Sequence, residues 1–246
     1  MKIARRDLLT SIGGLSAGLI LSGCGKAGDR TSAGTQTSPE RDENAKGGEV
    51  TATEDLMREH GVLRRALLVY SEVAVKLRGN ASTIPPDSLQ KTAKLFRAFG
   101  EDYHEKKLEE AYIFPAVKQA GGAAASLPDI LLTQHQRGRE ITDYILSATQ
   151  GAKLGKSNAE SLARAMETLV RMYRAHAARE DTIIFPAWKQ TMTAKQLDEI
   201  GDKFEEIEHQ QFGEDGFENA LRQIAEIENS IGLADLNLFT APPPSA

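Results

Sequence analysis

Six side chains of two types stand at matched positions along this sequence and together could bind a metal. They are His60, His104, Glu109, His135, His176 and Glu180. Imidazole binds iron, zinc, copper or nickel, and carboxylates in the absence of thiolate ligands favour two irons that the carboxylates bridge. A single cysteine in 246 residues excludes a disulfide framework and any Cys-rich zinc or iron–sulfur site.

The spacing of histidine and glutamate differs between the two pairs that share a segment. His176 and Glu180 are four residues apart, so a helix places them on the same face. His104 and Glu109 are five residues apart, which in a regular helix turns them away from each other by about 140°. A single π-turn between them would absorb the extra residue, and such turns often occur at functional sites.

An internal repeat places these side chains in two equivalent parts of the chain. Residues 113–119 and 184–190 are identical at six of seven positions, and a histidine and a pair of acids precede each copy. Upstream of these segments, the dipeptide Glu59-His60 corresponds to Gln134-His135. In both places an arginine follows the histidine by four residues. The repeat predicts two helical hairpins that carry the same histidine pattern.

Helix-forming residues dominate from Thr51 onward, and clusters of proline and glycine separate five predicted helices. Capping boxes that begin at Thr51 and Ser157 mark two of the helix starts, and Thr193 begins the segment that opens the last predicted helix. No segment alternates with a period of two in β-branched residues, so we expect no sheet and an all-α fold. The predicted helices span about 52–78, 87–119, 128–150, 157–190 and 193–229.

On these histidines and glutamates and the two Ile-Phe-Pro segments, the chain resembles the hemerythrin-like family with the HHE cation-binding domain, over residues 52–190. The resemblance implies an antiparallel four-helix bundle over 51–190 with a non-haem di-iron centre. It also implies that the centre binds dioxygen or a related small molecule, or that the protein senses or handles iron. An additional C-terminal helix at 191–229 and an extended tail at 230–246 would follow the bundle.

One departure from the family pattern affects the ligand set. Oxygen carriers of this family have a second histidine four residues after the one on the third helix, and Arg139 stands there. Water, Glu110, Asp181 or His209 could take the remaining position, although a surface role is favoured for His209. Zinc or manganese are alternatives to iron.

Other residues near the motif are given structural roles. Arg64 and Arg139 could donate to the bridging carboxylates or pair with surface acids, and the surface role is favoured. The core is expected to contain Phe114, Phe185 and Trp188.

Three functions fit this sequence: a di-iron binding protein, a di-iron oxidase that oxidises ferrous iron or removes an oxidant, and a metal-free helical interaction module. The chain has no arrangement of nucleophilic residues and no glycine-rich phosphate loop, so an enzyme would depend wholly on the metal. A binding protein is therefore favoured. With 30 basic and 35 acidic residues the net charge is -5, which gives no field to attract nucleic acid.

The first 50 residues are expected to direct and tether the protein. Residues 1–23 have the basic start and short apolar run of an export signal, and Arg5 and Arg6 resemble the twin-arginine pattern. Residues 21–24 resemble a bacterial lipobox that ends at Cys24, the residue that would be lipidated. Residues 24–50 are rich in glycine, serine, threonine and charge, which predicts a flexible tether. We therefore expect a membrane-anchored lipoprotein on the extracytoplasmic side.

Overall fold

The first helix, α1 (Ala52–Asn80), begins at the predicted capping box. The backbone N–H of Thr51 donates to Oε2 of Glu54 at 2.8 Å, and the N–H of Glu54 donates to Oγ1 of Thr51 at 3.4 Å. These reciprocal bonds satisfy donors that the first helical turn leaves free. The capping box predicted here is confirmed.

The computed structural model describes residues 50–80, 84–85, 87–150 and 158–244. These residues form helices and no strands, which confirms the all-α prediction. None of their helices has the length and apolar character needed to span a bilayer. The predicted export signal, the twin-arginine pattern, the lipobox at Cys24, nearly all of the predicted tether and the cap at Ser157 lie outside the described residues.

Two of the four long helices contain π-helical segments. The second long helix, 88–120, consists of α2 (Ser88–Leu95), π1 (Phe96–Ile113) and α3 (Phe114–Ala120). The third is α4 (Pro128–Ala148). The fourth, 159–189, consists of α5 (Ala159–Arg179), π2 (Glu180–Ile184) and α6 (Phe185–Lys189).

The π-turn predicted in the second long helix is confirmed and is longer than predicted, and a second π-segment occurs in the fourth. The N–H of Phe114 donates to the carbonyl oxygen of Glu109, five residues back, and the N–H of Phe185 donates likewise to Glu180. A proline follows each phenylalanine and occupies the first turn of the α-helix that resumes there, where its missing N–H is tolerated.

The four long helices run antiparallel to their neighbours. Ion pairs at both ends of α1 and the fourth helix, and of the second helix and α4, establish these directions. The pairs are Arg78 with Glu160, His60 with Asp181, Arg97 with Asp143, and Lys118 with Asp129. Apolar side chains fill the bundle on both sides of the histidine level, with Tyr70 and Phe96 towards one end. Phe114, Phe185 and Trp188 are buried towards the other end, as predicted.

The predicted C-terminal helix at 193–229 is in fact two helices, α7 (Ala194–Phe212) and α8 (Gly216–Ile231). Helix α7 ends at Gly213, whose φ is +83°. Glycine adopts this backbone conformation at no steric cost, which is why it commonly ends helices. Helix α7 packs on α1 and π1, and α8 packs on α1 and α2. The tail predicted as extended begins only after Ile231, and Leu236–Phe239 form a short 3₁₀ helix.

Candidate metal centre

Four imidazoles, one from each long helix, meet in two pairs inside the bundle. In the first pair, Nε2 of His60 lies 3.0 Å from Nε2 of His104. In the second pair, Nε2 of His135 lies 3.0 Å from Nε2 of His176. All four rings are buried. The structure therefore brings together the four histidines that the repeat singled out.

The carboxylate of Glu109 reaches both imidazole pairs. Its Oε1 lies 3.3 Å from Nε2 of His104 in the first pair, and its Oε2 lies 3.4 Å from Nε2 of His135 in the second. The π-helical hydrogen bonding of π1 makes this possible, because it brings residues five apart onto neighbouring positions. Glu109 can therefore bridge two ions, one at each pair.

Glu180 spans the two pairs from the opposite side. Its Oε2 lies 3.5 Å from Nε2 of His60, and its Oε1 lies 2.9 Å from Nε2 of His176. The four-residue spacing between His176 and Glu180 suits the α-helical geometry of α5, and π2 begins only at Glu180. The two carboxylates thus take equivalent bridging positions.

In His104 and His176, the outer ring nitrogen, Nδ1, faces away from the paired ring and donates a hydrogen bond. Its acceptor in each case is the residue directly before one of the other two histidines, His60 or His135. Nδ1–H of His104 donates to Oε2 of Glu59 at 2.6 Å, and Nδ1–H of His176 donates to Oε1 of Gln134 at 2.8 Å. Such partners fix the tautomer and orientation of a metal-binding imidazole. Neither role was predicted from the sequence, although the repeated dipeptides that end at His60 and His135 were a signal for both.

The outer nitrogens of the remaining two rings are held by Asp181 and Glu110. Nδ1–H of His60 donates to Oδ1 of Asp181 at 2.6 Å. Nδ1–H of His135 donates to Oε1 of Glu110 at 2.9 Å. Both acids therefore lie on the outer side of a ring, away from the point where the Nε2 atoms meet. The structure does not bring either of them to the position left open by the missing histidine.

Two arginines support these outer acids. Arg64 donates to Asp181, and Arg139 donates to Glu110. Arg139 therefore lies on the outer side of the His135 ring, beside Glu110 and Glu105, although it stands where oxygen carriers have a histidine. The favoured expectation that both arginines pair with surface acids is wrong, because the acids they pair with are the half-buried partners of the histidine rings.

His209 lies apart from the cluster. It is exposed on α7 and belongs to none of the His/Asp/Glu groups that the described residues bring within ligating distance of one another. The surface role favoured from the sequence agrees with this position.

The donor set fits metal ions. With Nδ1–H donating outward, Nε2 is the ring atom left to bind an ion. Two nitrogens bound at right angles to one ion at about 2.1 Å lie about 3.0 Å apart, which matches the separation in each pair. All four carboxylate oxygens of Glu109 and Glu180 are buried and accept no hydrogen bond from the described residues. Buried acceptors without donors are costly, and cations at the two pairs would satisfy them.

The field at the cluster favours positive charge. Burial alone would lower the pKa of His135, but the carboxylates around it, Glu105 foremost, raise it to about 10. Burial would likewise lower the pKa of His104, yet Glu109 and Glu59 raise it well above its usual value. Because a metal binds the neutral ring, binding releases protons and becomes tighter as the pH rises.

A small cavity adjoins the imidazoles between α1, π1 and α5. It has room for about one water-sized molecule. Leu63, Leu67 and Ala177 form its apolar wall, and Tyr173 and Glu105 contribute polar groups. The cavity opens directly onto the candidate centre, because its lining also includes His60, His104, His176, Glu109 and Glu180.

Comparison with known protein families decides how this geometry is classified. Residues 51–188 match the model of the hemerythrin HHE cation-binding domain. The chain belongs to this family. The resemblance predicted for residues 52–190 is thereby confirmed, and the described residues of the domain contain a His/Glu cluster that could hold a cation. Helices α7 and α8 lie outside the matched HHE domain.

This HHE protein is also similar to uncharacterized mycobacterial proteins. Among them are Rv1995 and MT2051 of Mycobacterium tuberculosis and Mb2018 of Mycobacterium bovis. Each is 42% identical over 241 residues, which cover 97% of this chain and 91% of the relative. No solved structure matches the chain at a significant level. The similarity to the relatives includes the C-terminal region beyond the HHE domain.

Proposed function

We propose that this protein holds two iron ions and binds dioxygen or a related small molecule, such as nitric oxide, in the cavity beside them. One observation carries the proposal: each of two buried carboxylates reaches both imidazole pairs with oxygens that accept no hydrogen bond from the described residues. Two carboxylate bridges between imidazole ligands favour a pair of irons over a single zinc ion.

The ligand residues divide into two sets of equal type. His60 and His104 would hold one ion and His135 and His176 the other, with Glu109 and Glu180 between them. Ferrous ions held in this way supply electrons and a binding position for dioxygen. The protein's part is to fix the six ligands and to keep the cavity small.

The wall of the cavity supports a small, apolar ligand. Leu63, Leu67 and Ala177 offer no charged group to a bound molecule. Arg64, with 45% of its side chain exposed, lies at the same cavity and is held by Asp181. The space has room for about one water-sized molecule, so the smallest ligands fit it better than a larger organic substrate does.

A di-iron oxidase is the second candidate, and one contact favours it. The hydroxyl of Tyr173 donates to Oε1 of Glu105 at 2.6 Å, and both residues line the cavity. Burial, and then the nearby Glu105, raise the pKa of Tyr173 well above its usual value, so the phenol keeps its proton. A phenol that donates to Glu105 can give an electron to a bound oxidant while its proton passes to that carboxylate, which simple reversible binding does not need.

Anaerobic loading of the protein with ferrous iron, followed by titration with dioxygen, tests the proposal. We expect an oxygen-dependent visible absorption band that disappears when dioxygen is removed. An irreversible change that consumes dioxygen would instead support the oxidase. A loaded protein that does not respond to dioxygen or to nitric oxide would contradict small-molecule binding.

A matched pair of variants locates the response in the cavity. Ala177 lines the cavity, whereas its neighbour Ala178 is exposed on the same helix. Ala177→Leu should keep its iron and lose most of the oxygen response, because the larger side chain fills the space. Ala178→Leu should behave like the parent protein. Equal responses in the two variants would place the ligand elsewhere.

A further inference from the structure

The outer partner of His104 differs from those of the other three histidines. Asp181 and Glu110 each pair with an arginine that reaches solvent, and Gln134 is itself half-buried. Glu59, which accepts the Nδ1–H of His104, has an exposed fraction of only 1%. Its contact with Tyr103 continues into the interior of the protein.

From Glu59 a hydrogen-bonded path leads to the C-terminal helices. The hydroxyl of Tyr103 lies 3.1 Å from Oε1 of Glu59 and 3.3 Å from Oε2 of Glu208 on α7, so its hydrogen is shared between two carboxylates. All three side chains are buried. The path thus connects a histidine of the metal centre to a helix outside the HHE domain in three hydrogen bonds.

The path ends at the first turn of α8. Oε1 of Glu208 accepts the backbone N–H of Phe217 at 2.6 Å, which satisfies a donor that the helix start leaves free. At Gly216 a Cβ atom would lie 2.5 Å from the same oxygen, so only glycine permits this close approach. The ring of Phe217 also packs against Phe99 of π1. The start of α8 is therefore fitted closely to the carboxylate.

We propose that Tyr103 and Glu208 are positioning residues for the metal centre, and that they couple metal binding to the docking of the α7–α8 hairpin. The inference rests on the proposed metal centre. Glu59 orients His104, and its own position depends on Tyr103 and on Glu208. Any change that metal binding makes in His104 is transmitted along the same contacts to the first turn of α8. Coupling of this kind is reciprocal, so release of the hairpin weakens metal binding.

The proposal assigns a role to helices that the family domain does not include. In the two-fold pattern of the centre, Gln134 is the counterpart of Glu59 and holds His176. Glu59 differs from Gln134 in its charge and in its contact with Tyr103. The half of the centre that contains His104 is therefore connected, through Glu59 and Tyr103, to Glu208 on a helix outside the four-helix bundle.

Tyr103→Phe tests the coupling, with Tyr112→Phe as its control. Tyr112 also contacts α7, where its ring packs edge-on against Phe204, but Tyr112 is not in the path from Glu59 to Glu208. The full chain of each variant is titrated anaerobically with ferrous iron, and hydrogen exchange of residues 213–220 is followed with and without iron. Circular dichroism of each variant reports whether it has folded.

In the parent protein we expect ferrous iron to slow exchange at the first turn of α8. Tyr103→Phe should lose this iron-dependent protection and bind ferrous iron about tenfold more weakly, at the lower end of the loss typical when an outer partner of a ligand is removed. Tyr112→Phe should keep both properties. Parent-like affinity and protection in Tyr103→Phe would overturn the proposal.

A second pair of variants covers the case in which Tyr103→Phe does not fold. Glu208→Gln keeps an oxygen for the N–H of Phe217 and places an amide NH₂ beside Tyr103, whose hydroxyl can accept from it and donate to Glu59, whereas Glu208→Ala removes both contacts. The glutamine variant should retain more iron-dependent protection than the alanine variant, and equal behaviour would overturn the coupling. If the parent protein binds two irons but shows no iron-dependent protection, only this inference fails. If it binds no iron, the proposed function fails as well.

Discussion

At the scale of single residues, the centre depends on having two different nitrogens available on each histidine. The Nδ1–H donates outward to an acid or an amide, and the Nε2 atom faces the second ring of its pair. Replacing any one ring removes a proposed metal ligand and also takes one hydrogen-bond donor from its outer partner. The loss is most costly at Glu59, because the carboxylate there is almost fully buried.

Replacing His176 by alanine should reduce bound iron from two ions per chain to one or none. It should also lower the thermal stability of the iron-loaded protein, because a metal that binds only the folded state stabilises it by mass action. Elemental analysis and a thermal melt with and without iron measure both effects. His209→Ala is the matched control, and iron loss in that variant would bring α7 into the ligand set.

Glu101 leads to a prediction for stability against pH. Its carboxylate is buried, accepts a hydrogen bond from Thr142 at 2.6 Å and lies 2.9 Å from Nε of Arg97. Burial, and then the nearby Glu105, raise the pKa of Glu101 to about 7. Between about pH 4.5 and 7 the folded state therefore holds a proton that the unfolded state has released. The contribution of this group to the free energy of unfolding is full below pH 4.5 and is lost as the pH rises to 7.

Glu101→Gln removes this titration but keeps an acceptor for Thr142. A pKa difference of this size corresponds to about 3 kcal/mol, so the variant should gain up to about that much relative to the parent as the pH rises from 5 to 8. Urea denaturation at several pH values measures the change. Asp143→Asn is the control, because 71% of this side chain is exposed although it also pairs with Arg97. Parallel curves for Glu101→Gln and the parent would show the assignment to be wrong.

The sequence predicted the six central residues but not their outer partners. The repeat made the histidines and glutamates visible because a glutamate stands four residues before each Ile-Phe-Pro segment and a histidine stands five or four residues before that glutamate. Glu59 and Gln134 differ in type, and each resembles an ordinary surface residue beside a histidine. Only the fold shows that each lies across from a ring on a neighbouring helix.

At the scale of elements, the π-segments set the direction of the glutamates. The five-residue spacing of His104 and Glu109 revealed π1, because an α-helix cannot place both on one face. The spacing of His176 and Glu180 already suits an α-helix. The spacing of these ligands therefore could not predict π2, which begins at Glu180. The break at Gly213 was missed for a similar reason, since a single glycine is tolerated within many helices.

The packing of α4 against α5 depends on a glycine beside Tyr173. A Cβ atom at Gly138 would lie 2.1 Å from the tyrosine hydroxyl. Gly138→Ala should therefore destabilise the protein by about 1–3 kcal/mol despite the better helix propensity of alanine, because the ring must move from Glu105. Denaturant unfolding measures the change.

Gly61→Ala provides the matched control in α1. A Cβ atom there has no neighbour within 4 Å, so the same substitution should be neutral or stabilise by up to about 1 kcal/mol. Destabilisation of both variants by the same amount would mean that the close contact with Tyr173 has no energetic role.

At the scale of the whole molecule, two similar helical hairpins supply equal halves of one centre, and a third hairpin supports one half. The four-helix architecture could be predicted because the internal repeat and the helix signals agreed. The docking of α7 and α8 could not, because it depends on contacts such as that between Tyr103 and Glu208 across more than 100 residues.

The predicted lipobox leads to a separate prediction about the membrane association of the intact chain. Cys24→Ser should move the protein from the membrane fraction to the soluble fraction, because the lipid would have no sulfur to attach to. Ser32→Ala, within the predicted tether, should leave the distribution unchanged. Fractionation of the bacterial cells that express each form measures the result, and membrane retention of Cys24→Ser would contradict lipid anchoring.

The central claim is that four histidines and two glutamates hold two irons, and anomalous X-ray diffraction at the iron edge tests it most directly. Crystals of the iron-loaded protein should show two anomalous peaks about 3.5–4 Å apart. One peak should lie at the pair of His60 and His104 and the other at the pair of His135 and His176, with Glu109 and Glu180 between them. No peak, or iron bound only at surface acids, would contradict the account.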